Sequence, residues 1–144
     1  MLECTPAPTV LKVSYSIAQA AAHSGLSIDT LRYYERIGLV DPPARDSAGR
    51  RAYSDEDFRW LSFLTRLRTT GMPIRMMREY ARLRLLGPGT SARRRQILAD
   101  HRREVGERIA ELQACADILD FKISHYEQIE RLGEPSPDAQ EVTA

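Results

Sequence analysis

The stretch from Ser91 to Leu132 constrains the fold most, because it contains no proline and only one glycine, Gly106. From Val105 onward, apolar residues recur at alternating steps of four and three, which is the heptad spacing of a coiled-coil seam. The seam residues are Leu98, Val105, Ile109, Leu112, Ala116, Leu119, Ile123 and Tyr126. Such a helix would be roughly 60 Å long. It cannot bury its own apolar stripe, so the pattern predicts a partner surface.

Two ways of covering this stripe remain open. The preceding part of the chain could pack on one end, and a second copy of the chain could cover the rest. We expect residues 90–132 to form a dimerisation helix that self-associates along the seam. Gly133 and the prolines after it end the pattern, so residues 133–144 are predicted to be a disordered tail. Residues 1–13 contain two prolines and no apolar periodicity, which predicts a flexible leader.

The formal net charge of +1 conceals a difference between two parts of the chain. Residues 12–89 carry 13 Lys and Arg against 8 Asp and Glu, whereas residues 90–144 carry 8 against 11. A basic first part favours an anionic partner such as nucleic acid, but an unevenly charged solvated surface would give the same counts. No apolar run reaches the roughly 20 residues that span a bilayer, and the N-terminus lacks the pattern of a signal peptide. We therefore expect a cytoplasmic protein without a membrane partner.

Two short helices joined by a tight turn are predicted near the start of the chain. The first covers residues 16–23, with Ile17, Ala18 and Ala21 as its inner face, and Gly25 supplies the turn. The second begins after Ser27 and ends at a left-handed glycine, residue 38. Helix, glycine-containing turn and helix in this order are typical of a helix-turn-helix unit.

The second helix carries residues that a core helix does not need. Tyr33 and Tyr34 are adjacent, so their side chains point about 100° apart and cannot share one narrow buried face. If Leu31 faces inward, Arg32 and Tyr33 project outward. There an arginine can bind guanine or phosphate, and the free N–H groups of the helix start can receive a phosphate.

An alternative interpretation of this helix remains open. Arg32 could pair with Asp29 or Glu35 on a solvated face, with Tyr34 in the core.

A basic turn follows this second helix. Residues 46–49, DSAG, form a turn cluster, and the flanking residues could pair as a short hairpin, or wing. Arg50, Arg51 and Tyr53 come directly after the turn, and Arg45 lies on its other side. Basic residues on such a hairpin could contact the DNA backbone beside the second helix. A turn that only aids solubility is the alternative.

Two more helices are predicted before the seam. One begins at Ser54 as its N-cap and stops at Gly71, and the other opens at Pro73. The expected inner face of the latter is Ile74, Met77, Tyr80 and Ala81.

Together these motifs closely resemble the MerR family of bacterial transcription regulators, from Tyr15 to Glu127. The motifs are Tyr15-Ser16-Ile17-Ala18, Thr30-Leu31-Arg32-Tyr33-Tyr34-Glu35, Gly38-Leu39, Arg51-Ala52-Tyr53-Ser54 and Thr70-Gly71-Met72. The resemblance implies an all-α fold with a small β wing. A winged helix-turn-helix DNA-binding domain would occupy residues 14–86, and residues 90–132 would be a long C-terminal helix that dimerises as an antiparallel coiled coil.

The resemblance, combined with the charge pattern, assigns candidate DNA contacts. Residues on the second helix would contact base edges or phosphate, and residues of the wing and the third helix would hold the backbone. These candidates are Ser27, Ile28, Thr30, Arg32, Tyr33, Arg50, Arg51, Tyr53 and Arg68. The family binds double-stranded promoter DNA at an inverted repeat as a homodimer. It bends and untwists the promoter spacer so that RNA polymerase, an indirect partner, engages both promoter elements.

The effector, a small molecule or a stress signal, is not identified by the residues. Within the family, Thr70-Gly71-Met72 and residues 112–126 look most like a subgroup that responds to aldehydes or nitric-oxide-type stress. That subgroup commonly carries a reactive cysteine in the third helix, where this chain has Arg66, which argues against thiol sensing by that route. Cys115, beside the seam, is either a small buried residue or a redox-sensing thiol. Metal-responsive relatives carry cysteines near both ends of the dimer helix, and this chain has none there.

Other function classes receive little support. No Ser-His-Asp arrangement, phosphate loop or pair of carboxylates stands out, and the two cysteines have no metal-site spacing. We therefore expect neither an enzyme nor a cofactor or metal. An alternative is a helix-turn-helix/coiled-coil protein-interaction module without direct DNA binding, in which the long helix pairs with a different protein.

Overall fold

The computed structural model describes residues 13–133, and apart from the first and last of these the predicted leader and tail lie outside them. The helices are α1 (Ile17–Ser24), α2 (Ile28–Arg36), α3 (Asp55–Thr69), α4 (Ile74–Leu85) and α5 (Ser91–Leu132), with a 3-10 turn at Pro88–Thr90. Strands β1 (Ala44–Arg45) and β2 (Arg51–Ala52) lie between α2 and α3. The predicted fold, all-α with a small β wing and a long C-terminal helix, is confirmed. Among the described helices, none is long and apolar enough to cross a membrane.

The chain divides into two compact units, the first ending at Leu98 and the second beginning at Ala99. The first unit contains α1 to α4, the wing and the first turns of α5. Its largest fully buried side chains are Leu31, Leu39, Tyr53, Leu61, Leu64 and Met77. This unit extends beyond the predicted domain 14–86, because Ile97 is buried in its core and Leu98 packs against the same core. The second unit is formed by the rest of α5.

Local caps start the helices of the helix-turn-helix. The Ser16 hydroxyl accepts the backbone N–H of Gln19 at 3.1 Å, and the Gln19 side chain accepts the N–H of Ser16 at 2.8 Å, which is a capping box. Gly25 follows α1 with a φ of 73°, a left-handed conformation that glycine adopts without strain. The Ser27 hydroxyl accepts the N–H of Thr30 at 3.0 Å and starts α2. The predicted helix-turn-helix is therefore formed as expected.

Buried side chains on one side of α2, and a hydrogen bond from α3 to the segment that follows it, hold α2 in place. Leu31 and Tyr34 on α2 are buried. The indole N–H of Trp60 on α3 donates to the backbone carbonyl of Leu39, just after α2, at 2.9 Å. One side of α2 is thus fixed to the core, and the opposite side remains accessible.

Two predicted inner faces were partly wrong. In α1, Ala20 and Ser24 are buried and Ala18 is exposed. The Ser24 hydroxyl donates to the carbonyl of Ala20 at 2.7 Å, which allows this polar residue to be buried. In α4, the three later residues of the predicted face are buried, whereas Ile74, the first residue of the helix, is exposed.

The predicted wing is a short antiparallel hairpin. Arg45 lies opposite Arg51 in the ladder. At the base of the hairpin, the backbone of Tyr53 exchanges two hydrogen bonds with Tyr15, at 2.9 and 2.8 Å. The wing is therefore anchored to the segment that precedes α1.

Gly106 lies in the interior of α5, where glycine costs about 1 kcal/mol relative to alanine. An added Cβ would meet only the Nη1 atom of Arg102, at 2.9 Å, and this is the end of a flexible side chain. We expect Gly106→Ala to raise the free energy of unfolding by about 1 kcal/mol in urea at fixed protein concentration. A decrease instead would show that a helix packed closely against Gly106 requires the glycine.

Candidate nucleic-acid interface

Four arginines from α2 and the wing line one surface groove of about 460 Å³. We call the surface formed by Arg32, Arg45, Arg50 and Arg51 the arginine groove. The ladder places Arg45 directly opposite Arg51, and like charges in this arrangement are destabilising. The fold thus brings together cations that lie up to 19 positions apart in the sequence. Such a surface fits a polyanion.

Asp46 organises the turn at the tip of the wing. Its Oδ1 atom accepts the backbone N–H groups of Ala48 and Arg50, both at 2.9 Å, and its Oδ2 atom accepts Nε of Arg50 at 3.2 Å. These hydrogen bonds, the one from the Arg50 backbone foremost, hold the pKa of the Asp46 carboxyl below its ordinary value. The guanidinium of Arg45 in turn donates to the carbonyl of Gly49 at 3.1 Å. The ionised carboxylate therefore holds the turn in shape.

Asp46→Asn should loosen this turn at neutral pH, because an amide lacks the charge that attracts the two N–H groups. We expect faster amide hydrogen exchange at Ala48 and Arg50, and DNA binding weakened by about threefold, which is at the lower end of the net contribution of one hydrogen bond. Asp41→Asn, at an exposed carboxylate outside the turn, is the matched control.

The pH dependence of the turn follows from the depressed pKa of Asp46. The stabilisation by Asp46 is complete above the unfolded pKa of about 3.9 and is lost as the pH falls through the lower folded-state pKa. Amide protection at Arg50, corrected for intrinsic exchange, should therefore be constant between roughly pH 5 and 8. A loss of protection within that range would contradict the assignment.

Arg32 and Tyr33 lie on the accessible side of α2. Tyr33 is 42% exposed, whereas Tyr34 is 3% exposed and belongs to the core. The nearest carboxylate to Arg32 is that of Asp29, at 3.9 Å, and the Arg32 side chain is 55% exposed. An exposed pair at this distance contributes little. The two interpretations of this helix are thus compatible, since a phosphate or a base can displace the weak pairing.

The other candidates on α2 and α3 lie outside the lining of the arginine groove. The Ser27 hydroxyl caps α2 and lies 2.8 Å from the hydroxyl of Thr30. Ile28 and Thr30 are half-buried, and Arg68 is exposed near the end of α3. Arg66, at the position of the subgroup cysteine, is also exposed on α3.

Tyr53 requires a correction. It was expected to contact DNA from the wing, but it is 1% exposed and is one of the largest buried side chains. Burial, assisted by the charge of Glu35, raises the pKa of its phenol above the ordinary value. Its backbone is bridged to Tyr15 and its side chain lies in the core, so Tyr53 anchors the wing and is not an exposed DNA contact.

Two functional candidates were not identified from the sequence. Ser16 lines the arginine groove, and Glu35 binds Arg51 through Nε at 2.9 Å. Arg45, which the sequence places across the turn from Arg50, also lines the groove. No sequence signal marked the contact of Glu35, which depends on the packing of the wing beside α2.

Most of the seam on α5 is accessible in the protomer. The more exposed members are Ile109, Leu112, Leu119 and Ile123. Val105, Ala116 and Tyr126 are half-buried. Leu98 differs, because it packs against the core of the first unit. At this end of the seam, the apolar stripe is covered by the preceding part of the same chain, which was one of the two alternatives. Cys115 is an exposed thiol, and its redox role remains a prediction.

Within residues 13–133, no three His, Cys, Asp or Glu side chains lie close enough together to hold a metal ion. Cys4 lies outside these residues.

Comparison with known proteins identifies the family. Residues 15–97 match the MerR HTH family of regulatory proteins. An uncharacterized HTH-type transcriptional regulator of Haemophilus influenzae is 34% identical over 121 residues, which cover 84% of this chain and 90% of that protein. The HTH-type transcriptional regulator AdhR of Bacillus subtilis is 42% identical over 92 residues, which cover 64% of this chain and 66% of AdhR.

Two solved structures extend the likeness beyond the helix-turn-helix. A putative MerR family regulator from Listeria monocytogenes is 40% identical with a TM-score of 0.74, covering 79% of this chain and 86% of that one. HiNmlR, a MerR family regulator lacking the sensor domain and bound to promoter DNA, is 34% identical with a TM-score of 0.74, covering 85% of this chain and 97% of its own. The chain therefore belongs to the MerR family of helix-turn-helix proteins and is a DNA-binding regulator of transcription.

Proposed function

We propose that this regulator acts as a homodimer that binds an inverted repeat within a promoter spacer and distorts the DNA to control transcription. The observation that carries the proposal is the convergence of α2 and the wing on the arginine groove. The relative HiNmlR, which is bound to promoter DNA, supports the choice of partner. The protein would act in the cytoplasm, and its partners would be the duplex, a second copy of itself and, through the DNA, RNA polymerase.

The contacts divide by element. Arg32 and Tyr33 on α2 would enter the major groove, where an arginine donates two hydrogen bonds to guanine. Ile28 and Thr30 would lie beside base edges, and the start of α2 at Ser27 would receive a phosphate.

The remaining cations would hold the backbone. Phosphates would be bound by Arg68 on α3 and by three wing residues that line the arginine groove, Arg45, Arg50 and Arg51. Phosphate contacts set position and orientation without carrying sequence information.

The homodimer would form along the seam of α5, in antiparallel orientation. Exposed apolar residues at heptad spacing are the surface that a second helix covers in a coiled coil. A two-fold axis then fixes the distance between the two α2 helices, which predicts an inverted repeat with fixed spacing. Control of transcription would follow from the energy needed to bend and untwist the spacer.

The proposal is tested by measuring the affinity of the full chain for its own promoter region over a range of salt concentrations. We expect tight binding that weakens steeply with salt, because each protomer neutralises several phosphates. A hydroxyl-radical footprint should show two symmetric half-sites, and a shuffled duplex should bind weakly. Absence of binding at low salt, or a footprint without symmetry, would count against the proposal.

The mass of the purified chain tests the dimer and the alternative function together. Sedimentation equilibrium should give twice the mass of one chain. A monomer that pairs only with a different protein would instead favour the interaction module without direct DNA binding.

A further inference from the structure

A carboxylate, Glu35, lies within the basic surface proposed to meet DNA. It lies on α2 and lines a groove together with Arg32, Arg36 and Arg51. A carboxylate near a phosphate backbone is repelled by it. A residue that only faced solvent here would therefore weaken DNA binding.

Both oxygens of Glu35 are occupied by Arg51. Nε of Arg51 donates to Oε2 at 2.9 Å, and Nη2 donates to Oε1 at 3.5 Å. The pair joins α2 to β2, and its side chains are only 16% exposed for Glu35 and 25% for Arg51. The Arg82–Glu79 pair on α4 is more open, at 60% and 33%. The Glu35–Arg51 pair is thus a covered, nearly bidentate contact between the wing and α2.

The geometry leaves part of the Arg51 guanidinium unoccupied by Glu35. A guanidinium carries five N–H donors in a planar fork, and Glu35 takes the edge formed by Nε and Nη2. Arg51 is among the residues that line both the arginine groove and the groove of Glu35. Glu35 leaves the remaining donors unoccupied, and these are the donors that a ligand in the arginine groove could use. A side chain already held in one orientation loses less rotamer freedom when it binds a ligand.

We propose that Glu35 is a positioning residue, which holds the guanidinium of Arg51 so that its remaining donors face a phosphate of the DNA backbone. The inference rests on the proposed function, in which Arg51 is a phosphate contact.

Two isosteric variants on the same helix separate positioning from simple charge. Glu35→Gln and Asp29→Asn each remove one negative charge from α2. If charge alone matters, both tighten DNA binding. If Glu35 positions Arg51, Glu35→Gln weakens operator binding about fivefold, roughly the net contribution of one ordinary hydrogen bond, while Asp29→Asn leaves binding unchanged or tighter.

The salt dependence gives a readout that a purely structural role would not change. Each phosphate contact contributes about 0.9 to the slope of log K against log salt. We expect Glu35→Gln to reduce this slope, measured for the dimer, by up to about 1.8, because one phosphate contact is lost in each of the two protomers. The reduction is expected although the variant protein carries more positive charge. Binding by Glu35→Gln as tight as that of the wild type, with an unchanged slope, would overturn the inference.

A double variant keeps the test decisive if Glu35→Gln alone lowers stability. Positioning requires that Glu35 act through Arg51, so Arg51→Ala combined with Glu35→Gln should bind no more weakly than Arg51→Ala alone. Additive losses would overturn the inference. If Arg51→Ala itself left both affinity and slope unchanged, the proposed phosphate contact would be wrong. A loss with Arg51→Ala but not with Glu35→Gln would refute only the positioning role.

Discussion

A chain carrying Leu112→Asp is expected to be monomeric at micromolar concentration and to bind its operator at least about 100-fold more weakly than the wild type. Leu112 lies in the middle of the seam and is 63% exposed in the protomer. In an antiparallel pair the substitution would bury two unpaired carboxylates in an apolar interface, which costs several kcal/mol. A monomer offers only one α2 to an inverted repeat, so the contribution of the second half-site is lost. Sedimentation and operator titration measure the two effects separately.

Ile118→Asp is the matched control for this substitution. Ile118 is 69% exposed on the same helix, and six residues of α-helix place it about 120° around the axis from Leu112. It adds the same charge away from the seam, so the dimer should persist and operator binding should remain nearly unchanged. Dissociation by Ile118→Asp, with a stable Leu112→Asp dimer, would place the interface on another face of α5.

Arg32→Ala is expected to abolish most of the preference for the operator over random DNA. A bidentate arginine–guanine contact contributes about 1–3 kcal/mol of discrimination, and a symmetric dimer makes it twice. The ratio of operator to random affinity should therefore fall by at least about 30-fold. Competition titrations with operator and shuffled duplexes at one salt concentration give this ratio.

Arg50→Ala provides the comparison for this second prediction. Arg50 is held at the tip of the wing by Asp46, where it would meet phosphate only. Its loss should weaken operator and random DNA by a similar factor and reduce the salt slope. Equal losses on both duplexes for Arg32→Ala would show that Arg32 also binds only the backbone.

Features governed by nearby residues could be predicted from the sequence. The caps predicted at Ser27 and Ser54 depend on contacts three residues away, and both caps are formed. Helical geometry separated Tyr33 from Tyr34, and the condition that Leu31 faces inward placed Tyr33 outside the core. The long helix and its seam followed from periodicity, and the order of the motifs indicated the family.

Features that depend on residues distant in the sequence could not be predicted. Tyr53 is bridged to Tyr15, 38 positions away, and nothing in the motif Arg51-Ala52-Tyr53 distinguishes a core tyrosine from an exposed one. The contact between Glu35 and Arg51 likewise forms only once the wing has folded beside α2. In α1 the choice between Ala18 and Ala20 was ambiguous, because alanine fits either a buried or an exposed position.

The anchoring of the wing by Tyr53 separates the root of the hairpin from its tip. The root is fixed by a core side chain and by the ladder to Tyr15, whereas residues 47–49 at the tip are exposed. Insertions or exchanges at the tip would therefore alter how far the hairpin reaches along a duplex while leaving the hydrophobic interior untouched. In related regulators, the contacts that the wing makes to the DNA backbone could therefore change during evolution without a change in the base preference set by α2.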